Sequence, residues 1–437
     1  MSVRTEKNKI KNDDEKVNSN ANEIIALAKA LLKWGLLGAL VGIMAGSASA
    51  LFLTLLNWAT GYREQHVWLL WLLPLAGVGM GLSYHTFGKS VEAGNNLLLE
   101  HIHNANDASS AGTSIPFRMF PLILLATVAT HFFGGSAGRE GTALQMGGAL
   151  ASALQKPFRL PPRDHALLLM AGIAGGFGSV FGTPLAGTIF GLEVLTVGRI
   201  RYNGVIGCCV ASVVGDSVCK AWGVQHTHYP VGVVPTLNVQ TWSLILLSGI
   251  LFGLTGRCFS ALTHTIGHLA KTRITLPYLR PFVGGLLIIA LTYLVQSREY
   301  LGLSLPLIQR SFTPQSVFIG AFALKILFTS VTLGTGFKGG EVTPLFGIGA
   351  TLGSALAHLT GQSTAFFAAL GFVAVFAGAA NTPLACTLMG IELFGGDLAV
   401  PLAAVCFLSH FVSGHRGIYL AQRTEVAKHD MHPITSK

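Results

Sequence analysis

The stretch GGSAGREGTALQMGG, residues 134–148, sets Arg139 and Glu140 between two glycine clusters inside otherwise apolar sequence. Two similar starts follow the same plan: Gly94-Asn95-Asn96-Leu97, and Gly339-Gly340-Glu341-Val342-Thr343-Pro344. A helix that begins inside a protein leaves its first N–H groups unsatisfied and presents the positive end of its dipole. Glycines ahead of that start let the backbone close on an ion, so each pattern reads as an anion seat. A carboxylate fixed there, Glu140, occupies the seat when ionised and vacates it when protonated. Anion passage is thereby linked to a proton.

Other chemistries fit the same residues less well. Gly134-Gly-Ser136-Ala-Gly138 has the letters of a serine-hydrolase elbow, with His131 nearby, which would make the chain an intramembrane hydrolase. That elbow needs a strand, a turn and a helix, whereas the flanks here are long apolar helical stretches and no acid partner stands out. His101-Ile-His103 and His226-Thr-His228 lack further ligands at metal spacing. They read as loop or interface residues, and no metal, cofactor or enzymatic activity is expected. The six cysteines (208, 209, 219, 258, 386 and 406) have no CxxC spacing and read as small buried hydrophobes.

The elements that must position these residues lie in lipid. The hydrophobic fraction is 51%, the charged fraction 11% and there are 53 glycines in 437 residues, with a mean hydropathy of +0.57. Such a composition predicts an all-α integral membrane protein whose helices approach closely through small residues. The net charge of +10 comes without aromatic-basic motifs, and nucleic acid is not an expected partner. Basic residues gather at the ends of apolar segments, as the positive-inside bias predicts. Arg4 to Lys16 and Arg416, Arg423, Lys428 and Lys437 place both termini in the cytoplasm, and the polar opening does not read as a secretory signal.

Apolar stretches fall at 24–60, 68–88, 117–133, 164–197, 201–221, 241–270, 281–297, 315–334 and 363–412. Several exceed the roughly 20 residues of one span, so more than ten helical segments are expected. Interruptions at Gly175-Gly176, Gly182-Thr-Pro184 and Thr382-Pro383 mark broken or re-entrant helices, tolerated at membrane depth where they line a buried cavity. The sequence also repeats itself. Gly182-Thr-Pro-Leu-Ala-Gly-Thr-Ile-Phe-Gly-Leu-Glu193 recurs 199 residues later as Asn381-Thr-Pro-Leu-Ala-Cys-Thr-Leu-Met-Gly-Ile-Glu392, and Glu140-Gly-Thr-Ala-Leu recurs 201 residues later as Glu341-Val-Thr-Pro-Leu. Two homologous halves are expected, parallel or inverted, with the substrate between them. The organisation is a polar segment 1–23, a first repeat 24–222, a loop 223–240, a second repeat 241–423 and a tail 424–437.

These motifs resemble the CLC family of chloride channels and proton-coupled anion antiporters. GREGT (138–142) looks like the family's gating-glutamate motif, GGEVTP (339–344) stands where GxFxP is expected, and FGTPLAG (181–187) looks like the following helix start. The resemblance spans about residues 24–425. It implies a homodimer in the lipid bilayer with one anion path per subunit, lined by Asn95, Asn96, Gly141, Val342, Thr343 and Tyr419. Three departures resemble the family's fluoride-exporting branch: GNNL in place of GSGIP, Val342-Thr343 in place of the phenylalanine segment, and Val194 where chloride exchangers carry a relay glutamate. Fluoride is small and strongly hydrated, and dense hydrogen-bond donors must replace its water. The implied activity is fluoride export in exchange for protons through the cytoplasmic membrane, with a chloride/proton antiporter or a passive chloride channel as the alternative. Glu140 is the expected gate and proton carrier. Glu341, superimposed on it by the 201-residue shift, is either a second proton site or a helix-start carboxylate paired with Lys338. Tyr419 is either an inner gate or an interfacial tyrosine.

Overall fold

The computed structural model describes residues 22–105, 114–227, 229–232, 234–314 and 317–428, with backbone alone for 2–21. His228 and Lys437 lie outside the described residues, and the side chains of Arg4 to Lys16 lie outside them as well. The first half contains α1 (Ser2–Gln65), α2 (Leu73–Phe87), α3 (Asn95–His103), α4 (Met119–Phe132), α5 (Glu140–Ala153), α6 (Pro162–Phe181), α7 (Pro184–Glu193) and α8 (Val205–Ala221). The second contains α9 (Val239–Arg273), α10 (Leu279–Val295), α11 (Leu305–Ser311), α12 (Ala321–Gly334), α13 (Val342–Thr360), α14 (Thr364–Ala380), α15 (Pro383–Phe394) and α16 (Ala399–Val412). Six of the helical segments are long and apolar enough to cross a membrane. One two-residue parallel pairing joins β1 (Thr196–Val197) to β2 (Arg423–Thr424). The protein is an all-α membrane protein of two homologous halves.

The long apolar stretches break at two of the three expected points; Gly175-Gly176 instead lies inside the continuous helix α6, where its missing side chains admit the Ala211 and Ala143 carbonyls of neighbouring helices. Residues 164–197 divide into α6 and α7 at Gly182, which is left-handed (φ 74°), with Pro184 opening the next helix. The equivalent break in the second half uses Asn381 (φ 58°) ahead of Pro383, asparagine being among the few residues besides glycine that visit this region. The apolar stretches read from the sequence leave out α5 and α13, although α13 is apolar enough to cross a membrane. Nearly every residue of both is buried, so they are wrapped by protein and need no lipid-facing surface. Their glycines serve close approach. A Cβ on Gly147 would lie 2.2 Å from the Gly172 carbonyl oxygen, and one on Gly349 would lie 1.9 Å from that of Gly371. The same backbone-to-backbone crossing therefore packs α5 on α6 and α13 on α14, as small residues do in membranes.

The halves meet reciprocally. Glu193, the last residue of α7, accepts hydrogen bonds from the Leu384 and Ala385 N–H groups at 3.0 and 2.8 Å, at the start of α15. Glu392 near the end of α15 accepts from Leu185 and Ala186 at 2.9 and 2.8 Å, at the start of α7. Each carboxylate caps the other half's helix and meets its positive dipole end. Mutual contacts of this kind define a pseudo-two-fold relation between the halves.

The two-fold also corrects the register of the opening motif. Gly138 and Gly340 pair with each other in an antiparallel bridge, and α4 and α12, like α5 and α13, begin 202 residues apart. Glu140 therefore corresponds to Val342, and Glu341 to Arg139. Letter matching favours the slipped frame, because Thr142 and Leu144 meet Thr343 and Leu345 at 201 but Pro344 and Phe346 at 202, whereas backbone pairing at the axis permits a single register.

The reciprocal caps give a direct test. Glu193→Ala and Glu392→Ala should each destabilise the fold by about 1–2 kcal/mol. The double variant should lose less than the sum, since both substitutions open one interface. Thermal unfolding of the purified variants measures this, and an unchanged melting temperature for both single variants contradicts the cap assignment.

Candidate functional site

The loops that lead into α5 and α13 touch at their glycines. The Gly138 N–H donates to the Gly340 carbonyl at 2.6 Å, and the Gly340 N–H donates back at 2.8 Å. A Cβ on Gly340 would stand 2.7 Å from the Gly141 nitrogen, 3.0 Å from that of Glu140 and 3.2 Å from that of Arg139. The Gly340 α-carbon thus faces the first backbone nitrogens of α5, and a side chain here would fill the space in front of them. Two helix N-termini converge on one buried point, an arrangement that favours negative charge.

Glu140 supplies that charge. It is fully buried and reaches across from α5 to the start of α13. Its Oε2 accepts from the Thr343 N–H at 2.9 Å, and its Oε1 accepts from the Thr343 hydroxyl. Arg139 contributes from its own side, with its N–H 3.2 Å from Oε2 and its Nε 3.3 Å from Oε1. The Arg139 pair seen in the sequence is present, yet the carboxylate is also seated on the opposing helix start. Val342 and Thr343, buried as the first two residues of α13, place that N–H and that hydroxyl together.

The two asparagines part company. Asn96 turns away and its Oδ1 accepts from the Ala421 N–H at 2.9 Å. Asn95 turns toward α5: its Nδ2 lies 3.1 Å from where a Gly141 Cβ would be, and its Oδ1 is buried without a partner. Gly94 holds the entry to α3 with φ 60°, packed against Gln145, whose amide donates to the Gly141 carbonyl at 3.2 Å.

Tyr419 sits on the irregular strap that follows α16. The Ile418 N–H donates to the Ala379 carbonyl at 2.8 Å. The Gln422 amide donates to the Val194 and Ala380 carbonyls at 2.9 and 3.1 Å, and Asn96 holds Ala421. Lys428 locks the strap's end by donating to Asn381 Oδ1 at 2.6 Å and Ser413 Oγ at 3.0 Å. Tyr419 is nearly fully buried, edge-on to Phe190, and its hydroxyl is buried without a partner. Asn95, Asn96, Tyr419 and Glu341 all line one cavity of about 870 Å³. The same cavity is faced by Lys89, Lys271, Arg280 and Lys338. Glu341 precedes α13 without capping it, and no ion pair joins it to Lys338 among the described residues. The Lys338 ammonium instead lies 4.3 Å from the centre of the Tyr84 ring.

The other readings separate cleanly. Ser136 and His131 are fully buried. The serine hydroxyl is engaged by Lys325 at 3.0 Å and Thr329 at 2.9 Å, and both imidazole nitrogens face carbonyls, of Thr127 at 2.8 Å and Ala137 at 3.0 Å. No nucleophile-base pair exists there, and the turn follows a helix rather than a strand. The two ring nitrogens of His103 are taken by Leu195 and Arg201, and no cluster of three metal-type ligands occurs among the described residues. Cys258 departs from the expected burial: it is exposed on α9, and Cys209 is partly so, while the other four cysteines are buried. A cysteine on a lipid-facing helix needs no protein cover.

The sequence names Gly340 only as part of the second motif, without its place against α5, and passes over Gln145 and the aromatic wall of Phe190, Phe376 and Phe177, whose rings stack at 4.3 to 6.3 Å. Gly340 carries a signal, since it is the central glycine of the second motif. Gln145 and the aromatics carry none, because their neighbours come from distant segments.

This architecture has known counterparts. The family profile described as "Voltage gated chloride channel" matches residues 76–414. A "Chloride/fluoride channel protein" of Pseudomonas syringae pv. tomato is 52% identical over 93% of this chain and 90% of its own length. The "H(+)/Cl(-) exchange transporter ClcA" of Cronobacter sakazakii is 26% identical over 90% of each chain. Among solved structures, a CLC-type fluoride/proton antiporter superimposes with a TM-score of 0.86 at 33% identity, covering 90% of this chain and 98% of that one. With paired N-termini, an interposed glutamate and a matching profile over most of its length, the chain belongs to the voltage gated chloride channel (CLC) family of anion channels and transporters.

Proposed function

We propose that the protein exports fluoride from the cytoplasm in exchange for protons, with Glu140 alternating with the anion in one seat. The observation that carries this reading is the Glu140 carboxylate resting on the N–H and hydroxyl of Thr343. Ionised, Glu140 competes with the anion for those donors. Protonated, it loses its claim on the dipole end, and fluoride takes the donors. The ionised carboxylate and the anion thus cannot hold the seat together, and a proton on Glu140 is the condition for the anion to enter. The names of the 52%-identical relative and of the 33%-identical structure support fluoride as the substrate.

Asn95, Gly141, Val342, Thr343 and Tyr419 line the proposed path. Tyr419 keeps a buried hydroxyl without a protein partner, which can donate to a small anion, and Asn95 contributes through its Nδ2 amide, the donor it turns toward Gly141. Asn96 holds the strap instead of facing the ion. Glu341, uncommitted at the cavity, passes protons between Glu140 and the cytoplasm, a task that justifies an intramembrane acid. The cations around the cavity gather anions at its mouth. The two repeats, bounded at 24–222 and 241–423, sit in the cytoplasmic membrane as a homodimer, with residues 1–23 and 424–437 cytoplasmic. A chloride/proton antiporter or chloride channel is the competing outcome of the tests.

Fluoride and chloride efflux from proteoliposomes, with pH recorded outside, tests the reading. Fluoride efflux should exceed chloride efflux and move protons the opposite way; chloride preference, or flux without protons, would falsify it. Glu140→Gln should abolish proton movement, because an amide neither carries the proton nor competes as a charge, and proton pumping by this variant removes Glu140 from the role.

The asparagines are expected to differ. Asn95→Ala should lower the fluoride-to-chloride preference about ten-fold, the effect of one lost hydrogen bond, while Asn96→Ala should keep the preference and lower the melting temperature. The reverse pattern contradicts the assignment. Glu341→Gln should fold as a dimer and lose proton-coupled export. Unchanged coupling in that variant leaves Glu341 as a helix-start residue.

A further inference from the structure

Lys325 on α12 is fully buried and belongs to none of the groups assigned above. Its ammonium donates to Ser304 Oγ at 2.8 Å, the Gly302 carbonyl at 2.9 Å, Ser136 Oγ at 3.0 Å and the Tyr300 carbonyl at 3.1 Å. Among the described residues no carboxylate pairs with it. Buried charges are ordinarily matched by an opposite charge, whereas this one is enclosed by neutral oxygens, two carbonyls and two hydroxyls. Such a shell is how proteins replace the water around a bare monovalent cation.

The shell is built for the purpose. Gly302 and Ser304 both take positive φ, 61° and 58°, which turns the 300–304 loop around the ammonium. The Gly302 N–H donates to the Gly135 carbonyl at 3.1 Å. The Ser136 N–H donates to Thr332 Oγ1 at 3.1 Å, and its hydroxyl meets Thr329 at 2.9 Å. Residues 135 and 136 are thereby stapled to the second half just before the Gly138–Gly340 bridge and Glu140. The pseudo-symmetric partner of Lys325, 202 residues earlier, is the buried apolar Ile123, so the cation is not a by-product of the repeat. Ser304 also lines a separate cavity of about 520 Å³, which gives small solutes an approach to the shell.

We propose that the oxygens of Ser136, Tyr300, Gly302 and Ser304 form a monovalent-cation site that takes primary ammonium or potassium-sized ions, filled in the native protein by the chain's own Lys325. The tethered cation fixes the 134–138 loop and, through it, the seat of Glu140. Lys325 is a positioning residue.

Truncation opens the site. Lys325→Ala leaves space for n-propylammonium, which restores the deleted atoms, and the purified full-length variant should gain thermal stability with n-propylammonium above ammonium and potassium, at constant ionic strength. Tetramethylammonium, which cannot donate hydrogen bonds, should have no effect. Wild type, whose shell is filled, should not respond, and Lys325→Met, whose uncharged chain occupies the path of the lysine stem and ends one atom short of the oxygens, should not take n-propylammonium. The second readout rests on the proposed fluoride transport: with the same cation on both sides, fluoride flux by Lys325→Ala should fall ten- to a hundred-fold, roughly the loss expected from a misplaced catalytic group, and recover in n-propylammonium. A Lys325→Ala protein that melts identically in all four salts overturns the site, as does Lys325→Met with wild-type melting and flux. If Lys325→Ala cannot be purified, Ser136→Ala and Ser304→Ala decide. Each removes one oxygen and should lower both melting temperature and flux; wild-type values for both variants overturn the proposal. Wild-type protein that carries no fluoride sinks the transport reading alone, since the melting series stands without it.

Discussion

The structure depends on two helix starts facing each other in the interior. Helices α5 and α13 bring unsatisfied N–H groups and positive dipole ends to the Gly138–Gly340 contact, where membrane and protein exclude water. That concentration of positive potential is unfavourable unless an anion answers it. Glu140 answers it from within the chain, and the proposed exchange replaces this internal anion by an external one. The surrounding features keep the two starts close: glycines against backbone at Gly147–Gly172 and Gly349–Gly371, and burial of nearly every residue of both helices.

Rigidity and asymmetry divide the labour. The features shared by the halves are structural: the glycine crossings, the reciprocal Glu193 and Glu392 caps, and the breaks before α7 and α15. The features that differ carry the candidate chemistry. Position by position across the two-fold, Glu140 faces Val342, Arg139 corresponds to Glu341, Ile123 to Lys325 and Ser136 to Lys338. A duplicated scaffold thus holds one carboxylate at the paired helix starts, one cavity carboxylate and one buried lysine without twins. The strap carrying Tyr419 adds a further asymmetry, fastened by Asn96, Gln422 and Lys428 to elements of both halves.

The membrane character, the duplication, the helix breaks and the motif containing Glu140 were legible in the sequence. Hydropathy and composition report the solvent a segment meets, and Gly182, Pro184 and Pro383 act on the backbone locally, so these signals need no partner. Hydropathy omitted α5, however, because a helix wrapped by protein is built from Gly, Ala and Thr rather than lipid-facing Leu and Ile. The repeat was legible as a repeat, but its register at the motif was off by one. Only the mutual pairing of Gly138 and Gly340 fixed the offset at 202 and separated Glu140 from Glu341.

Tertiary structure alone decided the direction of each polar side chain. Asn95 and Asn96 are adjacent and chemically identical, yet one faces Gly141 and the other fastens Ala421. Likewise Glu140 reaches Thr343, 203 residues away, and Lys325 lies among oxygens from residues 136 to 304. The sequence determined that acids, amides and glycines stand at helix starts, since a helix start is a local property of the chain. Which donor each one meets depends on contacts between segments hundreds of residues apart, and those exist only once the two halves have packed.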